Sequence, residues 1–178
     1  VTEAQQAAAN PRSRVVVVFL DTYHVTIEGS WNIREPLIRL LDRILAPEDL
    51  VAIMTPQMAP SQITLARKTE VIENGLRTGW PWGVRHTLHE DEEEARYDMC
   101  YPASTAEIRA GRSRSELAEK MIARRRERLT LEAVHDLVRY LQYLRDERKA
   151  VITLSEGWLL YRPDSSMTAP RWSPGTSP

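Results

Sequence analysis

The run VVVVFL at residues 15–20 constrains this chain more than any other feature. A short unbroken stretch of β-branched and large apolar residues reads as a strand buried on both faces. It stops at Asp21, and the following residues, DTYHV, turn polar. A strand of that kind needs cover above and below, which points to an α/β sheet.

The neighbouring segments supply the cover. From Ile33, apolar residues recur at Leu37, Leu40, Leu41, Ile44 and Leu45, one face of a helix with Pro36 expected in its first turn. APED (46–49) ends it, and LVAIM (50–54) is a second buried strand. This spacing is that of a βαβ unit with a right-handed crossover. SQITLARK (61–68) is expected to pair as a hairpin with 50–54 on the sheet edge, and TEVIENGLRTGW (69–80) to form a short helix.

Residues 81–113 show no sustained period and are expected as an insertion, reaching to about 128, with one helix near 90–100. Ser113 and Glu116 have capping-box spacing ahead of a charged helix ending near Arg128. A separate amphipathic helix follows, with Leu131, Val134, Leu137, Val138, Leu141 and Leu144 facing the core. KAVITLSEGW (149–158) is a further buried strand. The order β-α-β-β-α-insert-α-α-β suits an open, mostly parallel α/β sheet with helices on both faces. In that sheet 151–155 would be an exposed edge, open to aggregation unless covered.

Composition narrows the function classes. A length of 178 residues fits one domain with a substantial core, and a formal net charge of −1 favours neither nucleic acid nor an acidic membrane surface. A single cysteine, Cys100, excludes an internal disulfide and any multi-cysteine zinc site. No apolar run reaches the ~20 residues that span a bilayer. Residues 1–13 and the proline-rich 163–178 are expected as linker or disordered segments flanking a domain at 14–162. Residues 1–13 lack the features of a signal peptide.

In open α/β sheets, ligands bind beyond the carboxyl ends of the strands, and Asp21, Thr55 and Glu156 stand at such ends. Asp21 and Glu156 would lie on neighbouring strands if the long helix makes a crossover. Two carboxylates there would repel unless one is protonated or a cation lies between them. Mg²⁺ suits a few oxygen ligands plus water. The duller reading is that both acids cap helices or solvate the sheet edge.

The stretches VVVVFLDTYHV, NIREPLIRLLDRIL, DLVAIMTP, LARKTEVIENGL, WPWGVRHTL, RLTLEAVHDLVRYL and RKAVITLSEGWLLYR together resemble the von Willebrand factor type A family. The likeness is to its divergent bacterial branch, the VWFA-related acidobacterial domains, and covers about residues 14–162. It implies a Rossmann-like sheet, C-terminally incomplete here, and a metal-ion-dependent adhesion site. Asp21 matches the first ligand of the Asp-x-Ser-x-Ser motif, Thr130 the loop threonine, and Glu156, in SEG, the aspartate of the third loop. Tyr23 and Val25 stand at the two serine positions, so the site is degenerate and any Mg²⁺ there loses two oxygens. The resemblance further implies a non-enzymatic domain of an exported bacterial protein. It would bind an unidentified protein partner at a rim of Asp21, Tyr23, His24, Thr55 and Trp158.

Two other readings stay open, a metal-dependent hydrolase using Asp21, His24 and Glu156, and a structural domain with no rim ligand. His24 could supply an imidazole near Asp21, although a hydrogen-bonded structural histidine is the commoner case. His86 and His89 at i, i+3 could bind zinc but lack the metalloprotease spacing. The basic run ARRRERL (123–129) is interleaved with glutamates, which argues against a nucleic-acid patch. Trp80, Trp82 and Trp158 could form a partner patch or pack over the sheet rim. No Gly-x-Ser-x-Gly elbow and no glycine-rich loop after the first strand is present, so neither nucleophilic hydrolysis nor dinucleotide binding has support.

Overall fold

The computed structural model describes residues 14–68, 71–78, 80–84, 89–144, 148–163 and 167. Its sheet has four strands in the order β3-β2-β1-β4, with β1 Val15–Leu20, β2 Leu50–Met54, β3 Ala66–Arg67 and β4 Lys149–Leu154. β1 runs parallel to both β2 and β4, while β3 is antiparallel to β2. The sheet is therefore open, mixed and mostly parallel. The helices are α1 Ile27–Ile44, α2 Glu92–Cys100, α3 Thr105–Arg109 and α4 Glu116–Leu144.

β1 is the centre of the sheet because both its faces are apolar. All six of its residues are buried. Val16, Val18 and Leu20 pack against Leu37, Ile38 and Leu41 of α1, with Val51, Leu76 and Trp80. The alternate residues Val15, Val17 and Phe19 pack against Ala133, Leu137 and Leu141 of α4, with Ala52 and Met54. Period-two alternation along one strand thus builds two cores, one under each helix. Burying each such side chain contributes about 1.5–3 kcal/mol.

Several expectations are corrected. α1 starts at Ile27 rather than Ile33, because Thr26 caps it by accepting from the Gly29 N–H at 2.9 Å. Pro36 consequently lies inside the helix and not in its first turn. It lies on the exposed face of the helix, as does Asn32, whose carbonyl loses its helical donor. The edge strand β3 is two residues long, since Pro60–Gln62 form a 3-10 turn and Ile63 and Leu65 pack into the α4-side core instead. The segment at Val71–Thr78 is helical as expected, but wound as a wider π-helix.

The charged and amphipathic helices expected on either side of residue 129 are one helix of 29 residues. No glycine or proline interrupts residues 113–156. Its start is capped by Ser115, whose Oγ accepts from the Ala118 N–H at 3.1 Å, and not by Ser113. The buried stripe is Ala133, Leu137 and Leu141, leaving Leu131 and Val138 exposed.

The chain divides into two compact units. Residues 1–88 and 125–158 hold the sheet, α1 and most of α4; residues 89–124 and 159–178 hold α2, α3 and the start of α4. In the second unit Asp98 joins His89 and Arg114, with Arg114 Nε at 2.7 Å. Glu107 of α3 accepts from the Ser104 hydroxyl and from the backbone N–H groups of Ser104 and Glu116. Those bonds lower its carboxyl to about 2.

Candidate functional site

The site is built around Asp21, the first residue beyond β1. The Asp21 N–H continues the sheet by donating to the Leu154 carbonyl at 3.0 Å. The chain then curls tightly, with the N–H groups of His24 and Val25 both donating to the Asp21 carbonyl at 3.2 and 3.1 Å. This turn brings the His24 ring back onto the Asp21 carboxylate, with Nδ1 2.9 Å from Oδ1 and 3.0 Å from Oδ2. A carboxylate can only accept, so Nδ1 carries the proton of that bond.

Three further donors come from distant parts of the chain. Thr130 Oγ1, midway along α4, donates to Asp21 Oδ1 at 3.1 Å. Ser155 Oγ and Trp158 Nε1 each donate to Oδ2 at 2.8 Å. Gly157 makes the last of these possible. Its φ of +119° turns the chain after β4 where a side chain would be strained, and its N–H donates to Ser155 Oγ at 3.1 Å.

Asp21 is fully buried, and burial alone works against its charge. The bonds from His24, Trp158 and Ser155 outweigh that effect and hold the carboxyl below the ordinary carboxylate range. The site is therefore an ionised carboxylate surrounded by donors.

Glu156 takes a different position from the one expected. Its Oε1 accepts from the Thr26 N–H at 3.2 Å and from Thr26 Oγ1 at 2.9 Å, so it reinforces the α1 N-terminus and does not pair with Asp21. An acid there also suits the positive end of the helix dipole. Tyr23 and Val25, at the two motif serine positions, are buried. Tyr23, expected on the partner-facing rim, has the Arg126 guanidinium over its ring at 5.9 Å. Thr55 follows β2, and its carbonyl accepts from the Met58 N–H. His24, Thr55 and Trp158 are the rim residues left accessible to solvent, the first two only in part.

These residues do not fit a directly bound Mg²⁺. Such an ion needs a near-octahedral set of free oxygens at ~2.0–2.1 Å. Both Asp21 oxygens already accept from side-chain donors, Glu156 is turned to Thr26, and Tyr23 and Val25 are part of the core. Among the described residues no group of three or more His, Cys, Asp or Glu side chains could hold a metal ion. His86, one half of the His86–His89 pair, lies outside the described residues.

Asp21 also orients His24 as an acid orients a catalytic histidine. Among the described residues, however, no hydroxyl or thiol is hydrogen-bonded to His24 Nε2. Trp80 and Trp82 pack edge to face with ring centroids 5.6 Å apart, and Trp80 Nε1 donates to the Ser30 carbonyl. Beside the rim, Val25, Gly29, Asn32, Ile33, Trp82 and residues 153–156 line a cleft of about 360 Å³. Trp82 Nε1 is buried without a hydrogen-bond partner among the described residues.

Ser155 and Thr26 are the functional positions that residue patterns missed. Thr26 carried a signal, since a threonine just before IEGSWN is a ready N-cap. Ser155 carried none, because its role depends on the pairing of β1 with β4. No family model, curated protein or solved structure matches the chain. Among the described residues no helix is long and apolar enough to cross a membrane.

Proposed function

We propose that this chain is a non-enzymatic protein-interaction domain of von Willebrand A type, which binds a partner at the carboxyl-end rim of its sheet. The observation that carries the reading is the convergence on Asp21 of the loop after β1, the loop after β4 and the middle of α4. Those are the three regions in which the sequence resemblance places a rim site, at Asp21, Thr130 and the SEG turn. The strand order, with a short antiparallel edge beside β2, agrees with a Rossmann-like layout of that type. In this reading the carboxylate organises the rim through hydrogen bonds, and the partner meets the surface around His24, Trp158 and the neighbouring cleft. As part of an exported bacterial protein, the domain would contact its partner outside the cytoplasm.

The test is affinity capture from extracts of the source cells with wild type, His24→Ala, Glu156→Gln and an α1 surface control, Arg39→Glu. A partner retained by wild type and by the control, and lost by either rim variant, is the expected result. Adding a chelator leaves retention unchanged. Identical bound proteins for all four baits would refute a rim interface.

A further inference from the structure

Asp21 has no exposed surface, yet its two oxygens are covered from different places. Oδ1 is held from within, by Thr130 of α4, itself fully buried, and by His24. Oδ2 is covered from outside. Besides His24, its donors are Ser155 and Trp158, both exposed, on the turn that follows β4. The last sheet bond, from the Asp21 N–H to the Leu154 carbonyl, precedes that turn, so residues 155–158 are no part of the strand ladder.

The turn is fastened unequally. Glu156 is tied to Thr26 by two bonds, and Ser155 Oγ both donates to Asp21 and accepts from the Gly157 N–H. Beyond Gly157 the hold is thin. Trp158 belongs to neither apolar core, and no hydrogen bond other than that from Nε1 to Asp21 Oδ2 links it to the described residues. Gly157 itself has open space where a Cβ would stand. A large side chain held by one bond, beside a glycine on exposed backbone, belongs to the least stable end of a fold's local openings.

We propose that Trp158 is a displaceable cover on Asp21, and that a lysine side chain of the partner takes its place at Oδ2. The inference rests on the rim reading above and adds what the rim recognises. Asp21 is charged, and its bonds come from His24, Thr130, Ser155 and Trp158, with no lysine or arginine among them. An ammonium N–H makes a charge-assisted bond about twice as strong as that of a neutral donor such as the indole N–H it replaces. When Trp158 leaves, one acceptor position opens on Oδ2, while Thr130, His24 and Ser155 stay in place. A single position suits the compact ammonium of lysine, carried on a slim alkyl stem, better than the guanidinium fork, which is built for two acceptors. It also falls short of the several free oxygens that Mg²⁺ requires.

The experiment follows the indole N–H signals of the whole chain by heteronuclear NMR. In the free protein the Trp158 N–H should exchange with solvent at least about 100-fold faster than the buried Trp80 N–H, which donates to the Ser30 carbonyl. Nα-acetyl-lysine methylamide should then move the Trp158 signal toward that of a free indole, with half-saturation at about 1–10 mM, and leave Trp80 in place. The same probe acetylated on its side-chain nitrogen should do nothing, and the arginine counterpart should bind at least about fivefold more weakly. Trp158→Phe removes the competing N–H but keeps an aromatic ring, so, followed at the His24 ring, the lysine probe should bind at least about threefold more tightly. Equal exchange at Trp158 and Trp80 overturns the proposal, as does a Trp158 signal indifferent to the lysine probe or equally responsive to the arginine one. The exchange measurement needs no partner, so the cover can fail while capture at the rim succeeds.

Discussion

Thr130 Oγ1 donates to Asp21 Oδ1 across 3.1 Å, although 109 positions separate the two residues in the chain. The contact ties the middle of α4 to the end of β1. It makes Asp21 a buried structural anchor beneath the rim.

Removing the anchor leaves four donors, on His24, Thr130, Ser155 and Trp158, without their acceptor. Asp21→Ala is expected to cost about 3–5 kcal/mol, the range for breaking a buried charged network from one side. Thr130→Val, which removes a single hydroxyl at nearly constant shape, costs about 1 kcal/mol. Urea unfolding of both variants and of the double variant checks this. The double variant should cost less than the sum, because Thr130 has no acceptor left to lose.

Acid sensitivity follows from two carboxyls. Asp21 lies below its ordinary range for the reasons above. Asp49 does too, because bonds from Arg14 and from the Ala46 N–H outweigh the opposing effect of burial. In the unfolded chain both groups titrate near ~3.9. Above that value both states are ionised and the full stabilisation is present. As pH falls, the unfolded state takes up protons first, and the contribution is lost through the folded-state values. Melting temperature should therefore fall steadily from about pH 5 downward, and Asp49→Asn should flatten that slope. An unchanged slope in Asp49→Asn would argue against the linkage.

Metal addition offers a third check. With both Asp21 oxygens accepting from side chains, millimolar Mg²⁺ or a chelator should leave the melting temperature unchanged. A tightly bound ion would instead raise it, by about 2.7 kcal/mol of added stability at a hundredfold excess over Kd.

Gly83 is the backbone position least able to change. Its φ is +123°, and a Cβ there would sit 2.8 Å from the Val25 carbonyl oxygen. That carbonyl accepts from the Val84 N–H at 2.8 Å, a bond that holds the segment beside the rim. Gly83→Ala is expected to destabilise by about 1–3 kcal/mol, measured by thermal or urea unfolding. Gly111→Ala serves as the comparison, with positive φ but open space around the Cβ, and should cost less.

The amino-acid sequence by itself determined the strands β1, β2 and β4, the crossover helices and the position of Asp21 at a strand end. Those features follow from local periodicity, from β-branched runs and from where polarity begins. It also carried the signals for the Thr26 cap and for a helix unbroken from Glu116 to Leu144, although a later start for α1 and two helices around residue 129 were expected. Cap chemistry at Ser115, and the absence of any glycine or proline, decided those limits. Only the tertiary structure decided what Asp21 does. Pairing β4 beside β1 delivers Ser155 and Trp158 to the carboxylate, and packing α4 on the opposite face from α1 delivers Thr130. Glu156, one residue beyond Ser155, bonds Thr26 at the capped end of α1 instead. A residue's type and place along the chain fix what it can bond to, but which donors arrive depends on strand order and helix packing.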